Sequence, residues 1–184
     1  MRQIKAEGIV LKRINTGEAD RVITIYTNNL GKISVFARGV RRIKSRRSGN
    51  LELFNHVKFS LIETKNLPIL TEAEALETFP NIRKNLKLIG LAYHVSELVD
   101  KMSAEKQENE DVFNLLLNVL SKMNNVRSLK TEEKDGLIRN FEINFLESLG
   151  FLSGKNIAKD FNVRNYIEEL LERELKSKNF IEKL

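Results

Sequence analysis

The spacing of apolar residues changes once along this chain, near Pro80, and that change limits the folds open to it. From Lys5 to Phe79 apolar and polar residues mostly alternate, which is typical of strands with one buried face. Beyond Pro80 the apolar residues recur every three or four positions, as they do along one side of a helix. We therefore predict an α+β protein in two parts, residues 1–80 and residues 81–184.

The first part contains five short apolar runs, near residues 9–13, 21–27, 32–38, 56–64 and 67–76. A sheet this small would leave bare edges unless it closed on itself. We expect a five-stranded OB-like β-barrel, although an SH3-like barrel also fits the number of strands. Strict alternation places Val10 and Lys12 on one face of the first run, opposite Ile9 and Leu11.

The helical spacing of apolar residues in the second part predicts an all-α helical bundle. One apolar stripe spans Leu88 to Met102, and a second helix follows Asn109, which can cap it. A third helix starts at Thr131 and is stopped by Gly150, and a last one covers residues 164–176.

Composition excludes several classes of protein. The chain has no cysteine, which excludes disulfides, iron–sulfur clusters, thiolate zinc sites and cysteine nucleophiles. Its longest apolar run, Leu88–Tyr93, is far shorter than the roughly 20 residues that span a bilayer. The first residues lead into alternating sequence rather than an apolar signal core, so we expect a cytoplasmic protein with no membrane partner.

Positive charge is concentrated in the first part. Residues 1–80 hold 14 Lys and Arg against 8 Asp and Glu, whereas residues 81–184 hold 17 of each kind. The segment from Ala37 to Gly49 carries six cations and no acid. Arginine and lysine on a loop with glycines suit the recognition of phosphate, so this segment predicts a nucleic-acid site. The alternative is a solvated loop without a partner.

Two residues of the third run extend this predicted site. Lys32 and Phe36 share the face that alternation turns away from the core, and Phe36 is the best candidate for stacking on a base. The complete set of predicted DNA-binding residues is Arg38, Arg41, Arg42, Lys44, Arg46, Arg47, Lys32 and Phe36.

Signals for catalysis are weak. His94, Glu97 and Asp100 lie on one predicted helix, and we interpret His94 as a surface histidine among solvated carboxylates rather than as a metal ligand. Glu18, Asp20 and Arg21 are typical of a turn held by an ion pair. No set of nucleophile, base and orienting group can be assembled, so we predict no enzyme, no cofactor and no metal.

These residues resemble the bacterial RecO recombination-mediator family. The matching segments are Glu7–Lys12, Gly17–Arg21, Gly31–Lys32, Ala37–Ser45, Leu70–Phe79, Phe145–Phe151 and Leu171–Ser177. The resemblance implies an N-terminal OB-fold that binds single- and double-stranded DNA, a helical C-terminal domain and a role without catalysis.

The resemblance further implies that the protein anneals complementary strands and engages the acidic C-terminal tail of single-stranded DNA-binding protein. It also implies action with RecR to load RecA, at the nucleoid of a bacterial cell. Many members carry a four-cysteine zinc module after the motif that matches Leu149–Phe151, and this chain has no cysteine there. The alternatives are a barrel that binds RNA or the ribosome and a nuclease that uses Glu18 and Asp20 with a divalent metal.

Overall fold

The computed structural model of this chain describes residues 3–45, 47–125, 131–153, 161–172 and 174–177. These residues form two compact units. The first unit contains Met1–Phe79 and Ser103–Phe113, and the second contains Pro80–Met102 and Asn114–Leu184. The predicted α+β class, with strands first and helices after them, is confirmed.

Five strands form the first unit: β1 (Gln3–Thr16), β2 (Asp20–Thr27), β3 (Gly31–Ala37), β4 (His56–Ile62) and β5 (Ile69–Glu77), with a short helix α1 (Arg47–Asn50) between β3 and β4. They close into a barrel in the order β1-β2-β3-β5-β4. All neighbours are antiparallel except β3 and β5, which run parallel. The predicted five-stranded OB-like barrel agrees with this topology.

The inward face of β3 follows the predicted alternation. Ile33, Val35 and Ala37 are buried in the barrel core, whereas Phe36 lies on the outward face and is half-buried. Apolar residues from all five strands complete this core, and Val40 and Leu51 from the β3–β4 connection are fully buried in it.

The alternation predicted for β1 fails at a bulge between Val10 and Lys12. Val10 pairs with Ile25 and Lys12 pairs with Thr24, which are neighbours in β2. Neighbouring residues of a strand point to opposite faces, so Val10 and Lys12 do not share one. An extra residue in one strand is a feature that periodicity along that strand does not reveal.

A segment distant in sequence, Ser103–Phe113, belongs to the barrel unit. Lys106 N–H donates to the Lys32 carbonyl at 2.9 Å, and the Tyr26 hydroxyl donates to the Asn109 carbonyl at 3.3 Å. Burial raises the pKa of Tyr26 to about 12, which keeps this donor protonated. Gly31 has φ +65°, and a Cβ there would lie 2.1 Å from the Gln107 carbonyl oxygen.

A division of the chain at residue 80 would therefore leave Ser103–Phe113 out of the barrel unit. A domain boundary at residue 80 stays a prediction.

The helices of the second part are α2 (Pro80–Arg83), α3 (Leu86–Met102), α4 (Glu110–Asn125), α5 (Thr131–Ser148) and α6 (Val163–Leu171). The predicted cap of α4 is confirmed, since the Asn109 side chain accepts from Val112 N–H at 3.1 Å. The apolar spacing predicts a last helix up to residue 176, but α6 ends at Leu171, because Glu172 takes a left-handed conformation with φ 51°. Among the helices that the structure describes, none combines the length and the hydropathy that a membrane span requires.

His94 is buried, so the prediction of a surface histidine is wrong. Only 2% of it is exposed, and its Nε2 lies 2.7 Å from Glu142 Oε1, while its Nδ1 lies 3.0 Å from Ser177 Oγ. The neighbouring Glu97 accepts from Lys176 N–H at 3.0 Å and from Ser177 N–H at 2.8 Å. Burial opposes ionisation of Glu97, but these hydrogen bonds outweigh it, and its pKa lies below the usual value.

Candidate nucleic-acid interface

The basic segment leaves the barrel directly after β3 and is held in place by backbone contacts. Val40 is fully buried in the barrel core. Gly39 N–H donates to Asp20 Oδ1 at 2.6 Å, and Arg41 N–H donates to the Ala19 carbonyl at 2.8 Å. Gly39 has φ +65°, a conformation that glycine adopts without strain. These contacts hold the start of the segment against the loop between β1 and β2.

The segment encloses a shallow cavity of about 420 Å³, which we call the basic cavity. Its lining residues are Arg38, Gly39, Arg42, Lys44, Ser45 and Arg47. Four of these six carry positive charge, and none of the described residues that line it is acidic. Arg38, Arg42 and Lys44 are exposed. The Ser45 hydroxyl oxygen is buried and has no hydrogen-bond partner among the described residues.

This chemistry suits an oxyanion. Arginine offers paired donors to phosphate oxygens, lysine supplies a compact charge, and a serine hydroxyl can donate as well. Phosphate contacts of this kind position a nucleic acid without reading its bases.

Arg47 has a structural role that the sequence did not reveal. Its Nη1 donates to the Leu70 carbonyl at 2.9 Å and to the Thr71 carbonyl at 3.4 Å, and its Nη2 donates to the Arg38 carbonyl at 2.8 Å. The guanidinium therefore ties β5 to the start of the basic segment. It contributes charge to the basic cavity while most of its donors are used within the protein.

Two of the other predicted cations, Arg41 and Lys32, do not line the basic cavity. Arg41 is exposed, and its Nη1 donates to the Gly17 carbonyl at 3.4 Å. Lys32 is only 8% exposed, and its backbone forms a parallel β-bridge with Glu105. We therefore remove it from the interface. Arg46 lies outside the described residues.

Phe36 lies next to a small apolar surface at the start of β5. It pairs in register with Ile69, and its N–H donates to the Pro68 carbonyl at 2.8 Å. Leu67 is 38% exposed and Ile69 is 36% exposed. Oligonucleotides bind OB-folds on the face of strands 2 and 3 and on the loops that flank it, including the loop between strands 4 and 5. Sequence analysis did not identify Leu67 and Ile69, because alternation shows which side chains share a face but not whether solvent reaches that face.

The acidic group near the start of β2 serves the fold. Asp20 accepts from Gly39, and Arg21 Nε donates to Asn15 Oδ1 at 3.0 Å. Burial lowers the pKa of Arg21, and the nearby charge of Arg13 lowers it further. Within the part of the chain that the structure describes, these side-chain hydrogen bonds hold the turn, and no ion pair of Asp20 or Arg21 is found there. Among the described residues, no three His, Asp or Glu side chains gather as metal ligands.

Both parts of the chain match models of known families. The model for the N-terminal part of recombination protein O matches residues 1–79, and the model for its C-terminal part matches residues 83–152. The zinc module of many RecO proteins does not fit this chain, because a four-cysteine site cannot form without cysteine.

Curated proteins named DNA repair protein RecO are similar along most of the chain. The one from Roseiflexus is 38% identical over 150 residues, which is 82% of this chain and 51% of that protein. Those from Dehalococcoides mccartyi and Pelotomaculum thermopropionicum are each 36% identical, over 80% and 82% of this chain and over 56% and 57% of their own lengths. The chain thus spans little more than half the length of these relatives.

Proposed function

The chain belongs to the RecO family of recombination proteins, and from that premise we propose that it is a DNA repair and recombination mediator that binds single- and double-stranded DNA. The observation that carries this proposal is the basic cavity, where Arg38, Arg42 and Lys44 are exposed around a buried serine hydroxyl. Relatives named as DNA repair proteins support the choice of DNA as the polyanion.

The mechanism requires no bond to be broken. Cations of the basic cavity hold the phosphates of one strand and release its counterions. The neutralised strand repels a complementary strand less, so the two meet and pair more often. Phe36 and Ile69 offer an apolar surface on which an unpaired base can rest beside the held backbone.

The protein partners are proposed from the family alone. They are RecR, RecA as the protein that is finally loaded, and the acidic C-terminal tail of single-stranded DNA-binding protein. The helical part is the proposed docking platform, acting at the nucleoid in a bacterial cytoplasm. Deleting the acidic tail from the partner should weaken its binding to this chain and leave binding of naked DNA unchanged. Equal binding of the tailless partner would count against this contact.

The DNA-binding proposal is tested by fluorescence anisotropy with three labelled ligands of equal length. These are single-stranded DNA, duplex DNA and a structured RNA, measured at the same salt concentration. We expect both DNA forms to bind, because the phosphate contacts of the basic cavity do not read bases. A clear preference for the RNA would instead support the alternative of an RNA- or ribosome-associated barrel.

A further inference from the structure

The tip of the basic segment carries an apolar side chain that the mechanism above does not use. Ile43 has a relative exposure of 105%, whereas the next most exposed large apolar residue in the described part of the chain, Leu86, reaches 58%. It lies between Arg42 and Lys44, which both line the basic cavity. Its full exposure leaves the side chain available for an apolar contact in a complex, where its burial would be favourable.

The position of Ile43 is set by hydrogen bonds on both sides of it. Arg42 N–H donates to the Gly39 carbonyl at 3.2 Å, and Ser45 N–H donates to the Arg42 carbonyl at 2.8 Å. The second bond closes a turn over residues 42–45 in which Ile43 is the first of the two central residues. Val40, three residues earlier, is fully buried. The tip is therefore a hydrogen-bonded turn, and Val40 anchors it in the barrel core.

The charges around Ile43 determine what it meets. When Arg42 and Lys44 hold phosphates, the side chain between them lies within reach of the sugars and bases of the same DNA. An aliphatic side chain offers no hydrogen bonds to base edges, but it can enter between neighbouring base pairs. Proteins insert isoleucine, leucine or phenylalanine in this way, and part of the binding free energy is then spent on unstacking the step.

We propose that Ile43 is a wedge that enters duplex DNA between adjacent base pairs and unstacks them, while the flanking cations hold the phosphates. This inference rests on the proposed DNA-binding function. Pyrimidine–purine steps, and TA above all, unstack most easily, so the wedge favours duplexes that contain them over stiff A-tracts. A locally opened step would also give an incoming strand a place to begin pairing.

The test uses the full chain with duplexes that carry 2-aminopurine, a base whose fluorescence rises when it is unstacked. One duplex has the probe in a central TA step, and the other has it within an A-tract. Wild-type protein should raise the TA signal severalfold and the A-tract signal much less. Ile43→Ala should abolish this difference and weaken binding to the TA duplex about tenfold, because three side-chain carbons lose partial burial.

Ile14→Ala is the matched control, since Ile14 is a half-exposed isoleucine on the same barrel, outside the basic cavity. It should leave the signal as in the wild type. Substitutions of exposed side chains usually have little effect on stability, so both variants should fold. Wild-type binding without a fluorescence rise, or an unchanged rise with Ile43→Ala, would overturn the wedge and leave the proposed function intact. Failure of the wild type to bind either duplex would overturn both.

Discussion

Replacing the three exposed cations of the basic cavity should change the salt dependence of DNA binding by a predictable amount. The variant is Arg38→Ala/Arg42→Ala/Lys44→Ala. Arg47 is left in place because it donates to three backbone carbonyls, and its loss would disturb the barrel as well as the charge. The three chosen side chains are exposed, so their loss should have little effect on the fold.

The magnitude follows from counterion release. Each phosphate contact contributes about 0.9 to the log–log salt slope for duplex DNA and about 0.7 for single strands. If each of the three cations contacts one phosphate, the slope becomes shallower by about 2.7 units on duplex DNA and about 2.1 on single strands. Between about 50 mM and 200 mM salt, the wild type should then lose about 40-fold more duplex affinity than the variant.

Fluorescence anisotropy titrations at four or more salt concentrations measure this slope. A matched control is Lys5→Ala/Lys58→Ala/Lys65→Ala, which removes the same charge from exposed positions of the same barrel that do not line the cavity. The control should lose affinity without the same change in slope. If the two triple variants gave equal slopes, the basic cavity would have no special part in DNA binding, and the reasoning would be refuted.

Three further predictions concern stability. Gly31→Ala should lower the free energy of unfolding by more than the roughly 1–2 kcal/mol expected for a left-handed residue, because its Cβ overlaps the Gln107 backbone. Gly17→Ala is the control, since a Cβ at Gly17 meets nothing within 4 Å. Similar urea midpoints for the two variants would refute this prediction. His94→Ala should lower the free energy of unfolding by about 3 kcal/mol, since the buried Glu142 loses its 2.7 Å partner, and a loss below about 1 kcal/mol would contradict it. Burial lowers the pKa of His56 below 6.5 in the folded chain, so the unfolded chain takes up this proton at a higher pH than the folded chain does. The free energy of unfolding therefore falls as the pH drops below 6.5. If a His56→Gln variant showed the same pH profile, this residue would be excluded as the cause.

Much of the barrel follows from local sequence. Alternation placed Ile33, Val35 and Ala37 in the core, and the structure confirms it because the period of a strand fixes which side chains share a face. The side chain of Asn109 caps α4 as predicted, since capping depends on residues within one turn. Features of this kind need no knowledge of distant parts of the chain.

The differences at Lys32, Arg47 and His94 share a cause in contacts between segments distant in sequence. Lys32 is buried near residues that follow it by more than seventy positions, and Arg47 is bonded to carbonyls of β5. His94 is enclosed by Glu142 and Ser177 from later in the chain. Periodicity identifies a polar face, but it does not tell whether another segment covers that face. Periodicity therefore could not show that Lys32 is buried or that Arg47 donates to the backbone of β5.

The central claim, that the basic cavity makes this chain a strand-annealing protein, is tested most directly by annealing itself. Two complementary strands, one of them labelled, are coated with single-stranded DNA-binding protein and mixed with wild-type chain, with Arg38→Ala/Arg42→Ala/Lys44→Ala or with the Lys5→Ala/Lys58→Ala/Lys65→Ala control. We predict that the wild type and the control accelerate duplex formation, that the cavity variant does not, and that no strand is cleaved. Equal rates with and without the wild-type protein, or full acceleration by the cavity variant, would contradict the account.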